Sequence, residues 1–301
     1  EDTAIVTLGG ENQDEEEWFR HHLVDVRTGT LSGEFNIEAS NPYELVPLGD
    51  GSVAYRWSRR RRRPLVQRSA AVHTAAPGRT VTAEPRVPLI PQAPEGLSQR
   101  ARYFVEGHGL RVPRRDLNLF REVWLKQGIP DAEIDRAAAF QERWGGIALP
   151  PAPEYEGGPR VLEADAPEGS AVDGWRFSAG GCRVSMAHGF MIGPGGEFGI
   201  DADRWTPLHA STEGWVEALA LADHAGYWAK TITKIKGGAV EELDLDGFEP
   251  VPEVQGLADT WWRGKDSLIA VYRGVASGFD APHCLRAHIY GGLDAWGLGG
   301  S

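Results

Sequence analysis

The chain has 301 residues, 41% of them hydrophobic and 11 of them tryptophan, enough apolar material for a packed core, which excludes a wholly disordered protein. No apolar run approaches the roughly 20 residues a membrane span needs, and two cysteines, Cys182 and Cys284, are too few for a disulfide scaffold or a cysteine-based zinc module, which points to a reducing cytoplasm. The net charge of −12 is unevenly divided: residues 1–50 carry 12 acids and 2 bases, residues 51–115 carry 14 bases and 3 acids, and residues 116–301 carry 28 acids and 15 bases.

Residues 1–57 read as a β-rich unit. The first residues lack the basic and apolar regions of a secretory signal and there is no initiator methionine, as expected of a processed form or a piece of a longer protein. Residues 4–8 are a β-prone run ended by Gly9 and Gly10. Residues 22–26 and 33–37 flank a turn, as do residues 43–46 and 52–57; alternation around glycine turns signals two hairpins, which in series would make a four-stranded meander. His21 and His22 are neighbours and in a strand would face opposite ways, so they cannot share a metal.

Residues 58–112 read as a basic, proline-rich linker. Arg59, Arg60, Arg61, Arg62 and Arg63 precede Pro64, and Pro77, Pro85, Pro88, Pro91 and Pro94 follow. Five adjacent guanidiniums form a candidate anion-binding run able to neutralise phosphates. No aromatic residue alternates with them to stack bases, so a solvated linker is favoured over nucleic-acid binding.

Residues 113–229 read as an α+β module. Asp116 caps a helix with Leu119, Phe120, Val123 and Trp124 at helical spacing and Gly128 as its stop. Pro130 and Asp131 open a second helix, ended by Gly145 and Gly146. Strands are expected at 160–164 and 174–178, and a hairpin joins 190–192 to 197–200 around a Gly-Pro-Gly-Gly turn. Residues 205–208 add an edge, and Ser211 caps a helix bearing Trp215, Leu219 and Ala222 on one stripe. Residues 230–301 form a β-leaning extension with strands at 267–272 and 285–290.

The phrases "AAAFQERWGGIALP", "GWRF…FMIGPGGEFGI" and "HASTEGWVEALALADHA" together resemble the SMI1/KNR4, or SUKH, superfamily over residues 131–224, about a third of the chain. The resemblance implies an antiparallel β-meander flanked by helices and a binding role; many bacterial members are immunity proteins that neutralise a toxin by contact. In many members an LPxxY element precedes the Gly-Gly signal, whereas here Leu149, Pro150 and Tyr155 follow it. The N-terminal phrase "LVDVRTGTLSGEFNI" resembles one blade of a β-propeller, which would place further blades upstream.

No residue stands out as catalytic, and no cofactor or metal is implied. Cys284 and His288 with His283 lack the paired spacing of a zinc site. Cys182, Ser185 and His188 lie close in sequence but match no nucleophile motif. Gly193–Gly199 is glycine-rich yet does not lead into a helix, so a hairpin turn is expected over a phosphate loop. Asp244 and Asp246 read as a turn. The leading reading is an acidic protein-binding module, an immunity-type inhibitor that occludes a basic toxin through Glu154, Glu156, Asp201, Asp203 and Trp205. A scaffold bearing part of a propeller and an unrecognised enzyme are the alternatives.

Overall fold

A computed structural model describes the backbone of six strands within residues 1–88, and residues 90–298 apart from 160 and 182–187. The chain divides into two units, Glu1–Pro88 and Leu89–Ser301. In the first, β1 (Thr3–Glu11), β2 (Glu17–Asp25) and β3 (Thr30–Phe35) form one antiparallel sheet, and β4 (Leu45–Leu48), β5 (Ser52–Arg56) and β6 (Ala70–His73) form another. The expected hairpins are both present, β2–β3 and β4–β5. They belong to separate three-stranded sheets instead of one four-stranded meander, because β1 and β6 each add a strand on the far side. The arginine run at 59–63 lies outside the described residues.

The second unit is α+β. Its first helix, α1 (Gln99–His108), falls where the sequence reads as linker. Ser98 caps it, its Oγ accepting from Ala101 N at 3.2 Å. Ala101, Phe104 and Val105 are buried, the i, i+3, i+4 stripe of an amphipathic helix. Ile90, Ala93 and Leu97 are buried too, so the packed unit includes the end of the proline-rich stretch. The strand β7 (Leu110–Arg111) then leads to a 3-10 turn, Leu117–Phe120, capped by Asp116, whose side chain accepts from Asn118 N.

The helix α2 (Arg121–Lys126) corrects one expectation. Leu119, Phe120, Val123 and Trp124 do not share an inner face: Leu117 and Trp124 are buried, whereas Leu119 and Val123 are 76% and 51% exposed. The segment starts as a 3-10 turn with three residues per revolution, so a 3.6-residue stripe does not carry through it. By contrast α3 (Asp131–Trp144) keeps its stripe, burying Ile134, Ala137, Phe140 and Trp144. It ends where Gly146 takes φ +76°, with Val112 O so close that a Cβ would lie 2.5 Å from it. The buried amide of Gln141 braces this end, donating to Arg115 O at 3.0 Å and accepting from Ala164 N at 2.8 Å. The strand β8 (Ile147–Ala148) pairs with β7.

An antiparallel meander follows: β9 (Glu168–Ser170), β10 (Gly174–Gly180), β11 (Gly189–Ile192), β12 (Phe198–Asp201) and β13 (Trp205–His209), each beside the next. The hairpin β11–β12 has the expected register, Ile192 opposite Phe198, and its glycine-rich connection is a turn. Arg136 of α3 clamps that turn by donating to Gly193 O, Pro194 O and Trp175 O. The strand expected at 160–164 is reduced to isolated bridges at Leu162, between Ile147 and Gly180.

The helix α4 (Thr212–Trp228) starts at Ser211, whose Oγ accepts from Gly214 N at 3.1 Å. Its buried residues are not confined to one stripe: Trp215, Val216, Ala218, Leu219, Ala220, Leu221, Ala222 and Ala225 all lie inside. A helix apolar on most sides must be enclosed, and residues 230–301 supply part of the enclosure. They form a second five-stranded antiparallel sheet of β14 (Thr231–Lys236), β15 (Glu249–Pro250), β16 (Thr260–Arg263), β17 (Ser267–Tyr272) and β18 (Arg286–Gly291), in the order β14-β18-β17-β16-β15. A short helix, α5 (Gly274–Gly278), follows β17. Trp261, Leu268, Ala270, Tyr272 and Tyr290 join the same core as α4 and the meander, so this segment belongs to the unit and is no appendage. No helix among the described residues is long and apolar enough to cross a membrane.

Candidate functional site

A cluster of buried ionisable side chains is assembled around one turn. Residues 155–157 make a 3-10 turn in which Tyr155 takes φ +59°, followed by Gly157 at +92° and Gly158 at +71°. A left-handed aromatic residue is uncommon and persists only where its surroundings hold it. The surroundings here are rings: Tyr155 lies 6.2 Å from His188 and from Trp215, and 6.4 Å from Phe190 and from Tyr272, centroid to centroid. The first residue of α5, Gly274, is a second requirement, since a Cβ there would strike Tyr155 Oη and Leu208.

Buried this way, the phenol needs a partner. Tyr155 Oη donates to Asp259 Oδ2 at 2.6 Å, while Asp259 Oδ1 accepts from Arg273 N at 2.9 Å and Gly274 N at 3.1 Å. Asp259 comes from the segment that stitches the two sheets together. Leu257 N donates to Leu208 O, Ala210 N to Gln255 O, and His209 bridges to Gly256. Asp259 is 1% exposed. Burial pushes its carboxyl up to about 7; its three hydrogen bonds oppose the shift and the nearby Glu154 charge adds to it. Burial also pushes the Tyr155 and Tyr272 phenols well above their usual value, with Asp259 contributing to both.

Beside this pair lies a second one. Glu154, half-buried, places Oε1 2.9 Å from His288 Nε2 on β18. Tyr290 Oη is 3.4 Å from the other ring nitrogen of His288, and burial raises that phenol as well. Next to the sheet junction, His209 Nδ1 donates to Val254 O at 2.9 Å, which fixes a neutral tautomer; burial lowers this imidazole to about 4. The Glu154–His288 approach brings a partly solvated carboxylate against a buried ring. Asp259 has both oxygens occupied and is closed off from solvent, so it works as a keystone joining the Tyr155 turn, the 255–259 segment and α5.

The sequence-derived contact residues separate into two places. Glu154 belongs to this centre. Glu156 lies in the same turn, its side chain outside the described atoms. Asp201, Asp203 and Trp205 sit together at the β12–β13 corner, where Asp201 is opposite Trp205 in the ladder, Asp203 is exposed and the Arg176 guanidinium stands 5.5 Å from the Trp205 ring. Arg204 joins this corner to α5, donating to Ser277 O and pairing with Asp280 at 3.6 Å. His288, set aside in the sequence because it lacks the spacing of a zinc site, is the buried residue facing Glu154. His188 packs on Tyr155 and Phe190, and Cys182 and Ser185 lie outside the described residues. Sequence reading missed Tyr155, Asp259, Tyr272 and Tyr290; the one local signal was the Tyr155-Glu156-Gly157-Gly158 run, whose paired glycines mark a turn needing positive φ. Among the described residues no group of three or more metal-binding side chains converges. No protein-family model, no curated protein and no solved structure matches the chain.

Proposed function

We propose that the Leu89–Ser301 unit is a protein-binding module of SMI1/KNR4-like type, acting in the cytoplasm as an immunity-type inhibitor that occludes a basic toxin. What supports this reading above all is the β12–β13 corner. It carries Asp201 and Trp205 at the ends of two hydrogen-bonded strands and Asp203 in the turn between them, with Asp280 tied in through Arg204, so a charged and aromatic surface is held on a braced sheet. Such a surface needs little ordering on association, and the acidic excess after residue 116 favours a cationic partner and speeds encounter. The ionisable centre around Tyr155 fits a scaffold role within this reading, because the Asp259 carboxylate is taken up by the Tyr155 hydroxyl and two backbone amides.

Affinity capture from the native host followed by mass spectrometry tests it. One small basic protein at stoichiometric yield is the expected result, with Asp201→Lys/Asp203→Lys slowing its association about tenfold or more at low salt. Recovery of nucleic acid alone would overturn the protein-partner reading, and an association rate indifferent to salt and to charge reversal would overturn the electrostatic part.

A further inference from the structure

The strand β14 ends the second sheet, pairing with β18 on one side and with no strand of the described residues on the other. Its sequence is Thr-Ile-Thr-Lys-Ile-Lys, preceded by the exposed Lys230, and every residue of it except the half-buried Ile235 is exposed. Ile232 is 47% exposed. Gly237 N donates to Leu285 O, and the register runs from Lys236 opposite Arg286 to Thr231 opposite Gly291. Hydrogen-bonded and non-bonded pairs alternate along an antiparallel ladder. Thr231, Thr233 and Ile235 therefore turn their backbone groups toward β18, while Ile232, Lys234 and Lys236 turn theirs to the open edge.

The same three residues share one face, next to Tyr290, His288 and Arg286 of β18. Lys236 stands directly opposite Arg286, a like-charge pair that costs stability within the sheet. Arg286 directs its Nη1 to the carbonyls of His283 and Leu285, and the acid facing this stretch is Glu154, engaged by His288 opposite Lys234. No lysine of β14 makes an ion pair with a described residue. Lysines on an edge discourage pairing with a like strand, so a second copy of β14 would set two lysines against two lysines. An acidic strand meets the opposite charge and finds free backbone donors and acceptors.

We infer that β14 is a docking edge for an extended acidic segment of a partner protein, which adds as a sixth strand with acidic residues at alternate positions against Lys234 and Lys236 and an apolar residue against Ile232. Strand addition takes affinity from main-chain hydrogen bonds and selectivity from every second side chain. This surface is distinct from the β12–β13 corner and stands if that reading fails.

The test uses the full chain and a synthetic peptide, Thr-Glu-Thr-Glu-Thr-Ile-Thr, against a control of the same composition with its two glutamates adjacent. Binding is followed by calorimetry, and backbone amide exchange by NMR or mass spectrometry. The expected result is binding of the alternating peptide, slowed exchange at Ile232, Lys234 and Lys236, and weakening of about tenfold or more in Lys234→Glu/Lys236→Glu. Raising ionic strength from about 0.05 M to about 0.3 M should also weaken it severalfold. Absence of binding, equal affinity for the control, or binding without added amide protection would each overturn the proposal. Concentration-dependent dimerisation of the free chain that protects the same amides would assign the edge to a second copy and overturn it too. If capture of a native basic partner survives the lysine reversals unchanged while the peptide fails to bind, the edge proposal alone is lost.

Discussion

Burial makes one side chain keep its proton and another give it up, and the two pull stability in opposite directions with pH. The Asp259 carboxyl is raised from 3.8 to about 7 by burial. The folded state therefore binds the extra proton: its contribution is fully present below about pH 4 and is lost as pH rises toward 7. The His209 imidazole is lowered from 6.5 to about 4 by burial. Its contribution is present above pH 6.5 and is lost as pH falls toward 4. Between these limits the two slopes oppose each other. Replacing Asp259 with Asn keeps an acceptor for Arg273 N and Gly274 N, removes the titrating group and leaves the His209 slope uncovered. The stability of Asp259→Asn relative to the parent should then rise between pH 4.5 and 7.5 by about 3 kcal/mol, because each pH unit over which the folded state keeps one extra proton is worth about 1.4 kcal/mol. Urea denaturation at the two pH values measures it; a difference that does not change with pH would mean that Asp259 is an ordinary carboxylate.

At the scale of elements, the first and fourth helices are joined by a carboxylate. Glu217 of α4, 3% exposed, accepts from Ser98 N at 2.6 Å and Ser98 Oγ at 2.8 Å, and pairs with Arg100 at 3.2 Å. It supplies from another helix what the third residue of a capping box supplies locally. Burial lowers the Arg100 guanidinium while the Glu217 charge opposes that shift, with Glu253 also near. Removing only the acid leaves a buried cation, so Glu217→Gln should cost about 3 kcal/mol and speed amide exchange over α1. Arg100→Met in the same background should recover part of that loss; a double-mutant cycle with no coupling would show that the pair is not a unit. This contact also marks the limit of sequence reading. Ser211 and the β11–β12 hairpin were legible because cap, alternation and turn glycines act within a few residues. α1 was not, because Ser98 meets Glu217 119 positions away and its neighbours are rich in proline and arginine. Likewise Tyr155 and Asp259 are 104 positions apart, and no local pattern announces that a turn tyrosine will find an aspartate in the segment between the two sheets. Leu119 and Val123 show the converse: a helical stripe that is real in sequence loses its inner face because a 3-10 start shifts the register.

For the molecule as a whole, the sequence drew a boundary at residue 229, whereas packing draws one near residue 89. The core that holds Phe177, Phe190 and Phe198 of the meander also holds Trp261, Leu268, Tyr272 and Tyr290 of the second sheet, with α4 contributing to the same cluster. Cutting after Ala229 removes those side chains and exposes apolar surface worth about 1.5–3 kcal/mol for each large residue left uncovered. It also strips Asp259 from Tyr155, Val254 O from His209 and His288 from Glu154, leaving buried polar groups without partners. A domain whose whole stability is about 5–15 kcal/mol does not survive that. Residues 113–229 expressed alone should therefore show no cooperative unfolding transition and poor amide dispersion by NMR, while residues 89–301 should melt in a single transition that coincides by far-UV and near-UV circular dichroism. A cooperative, well-dispersed 113–229 fragment would mean that the second sheet is an addition to a self-sufficient meander, and the tyrosine centre would then be an interface between two domains instead of the keystone of one.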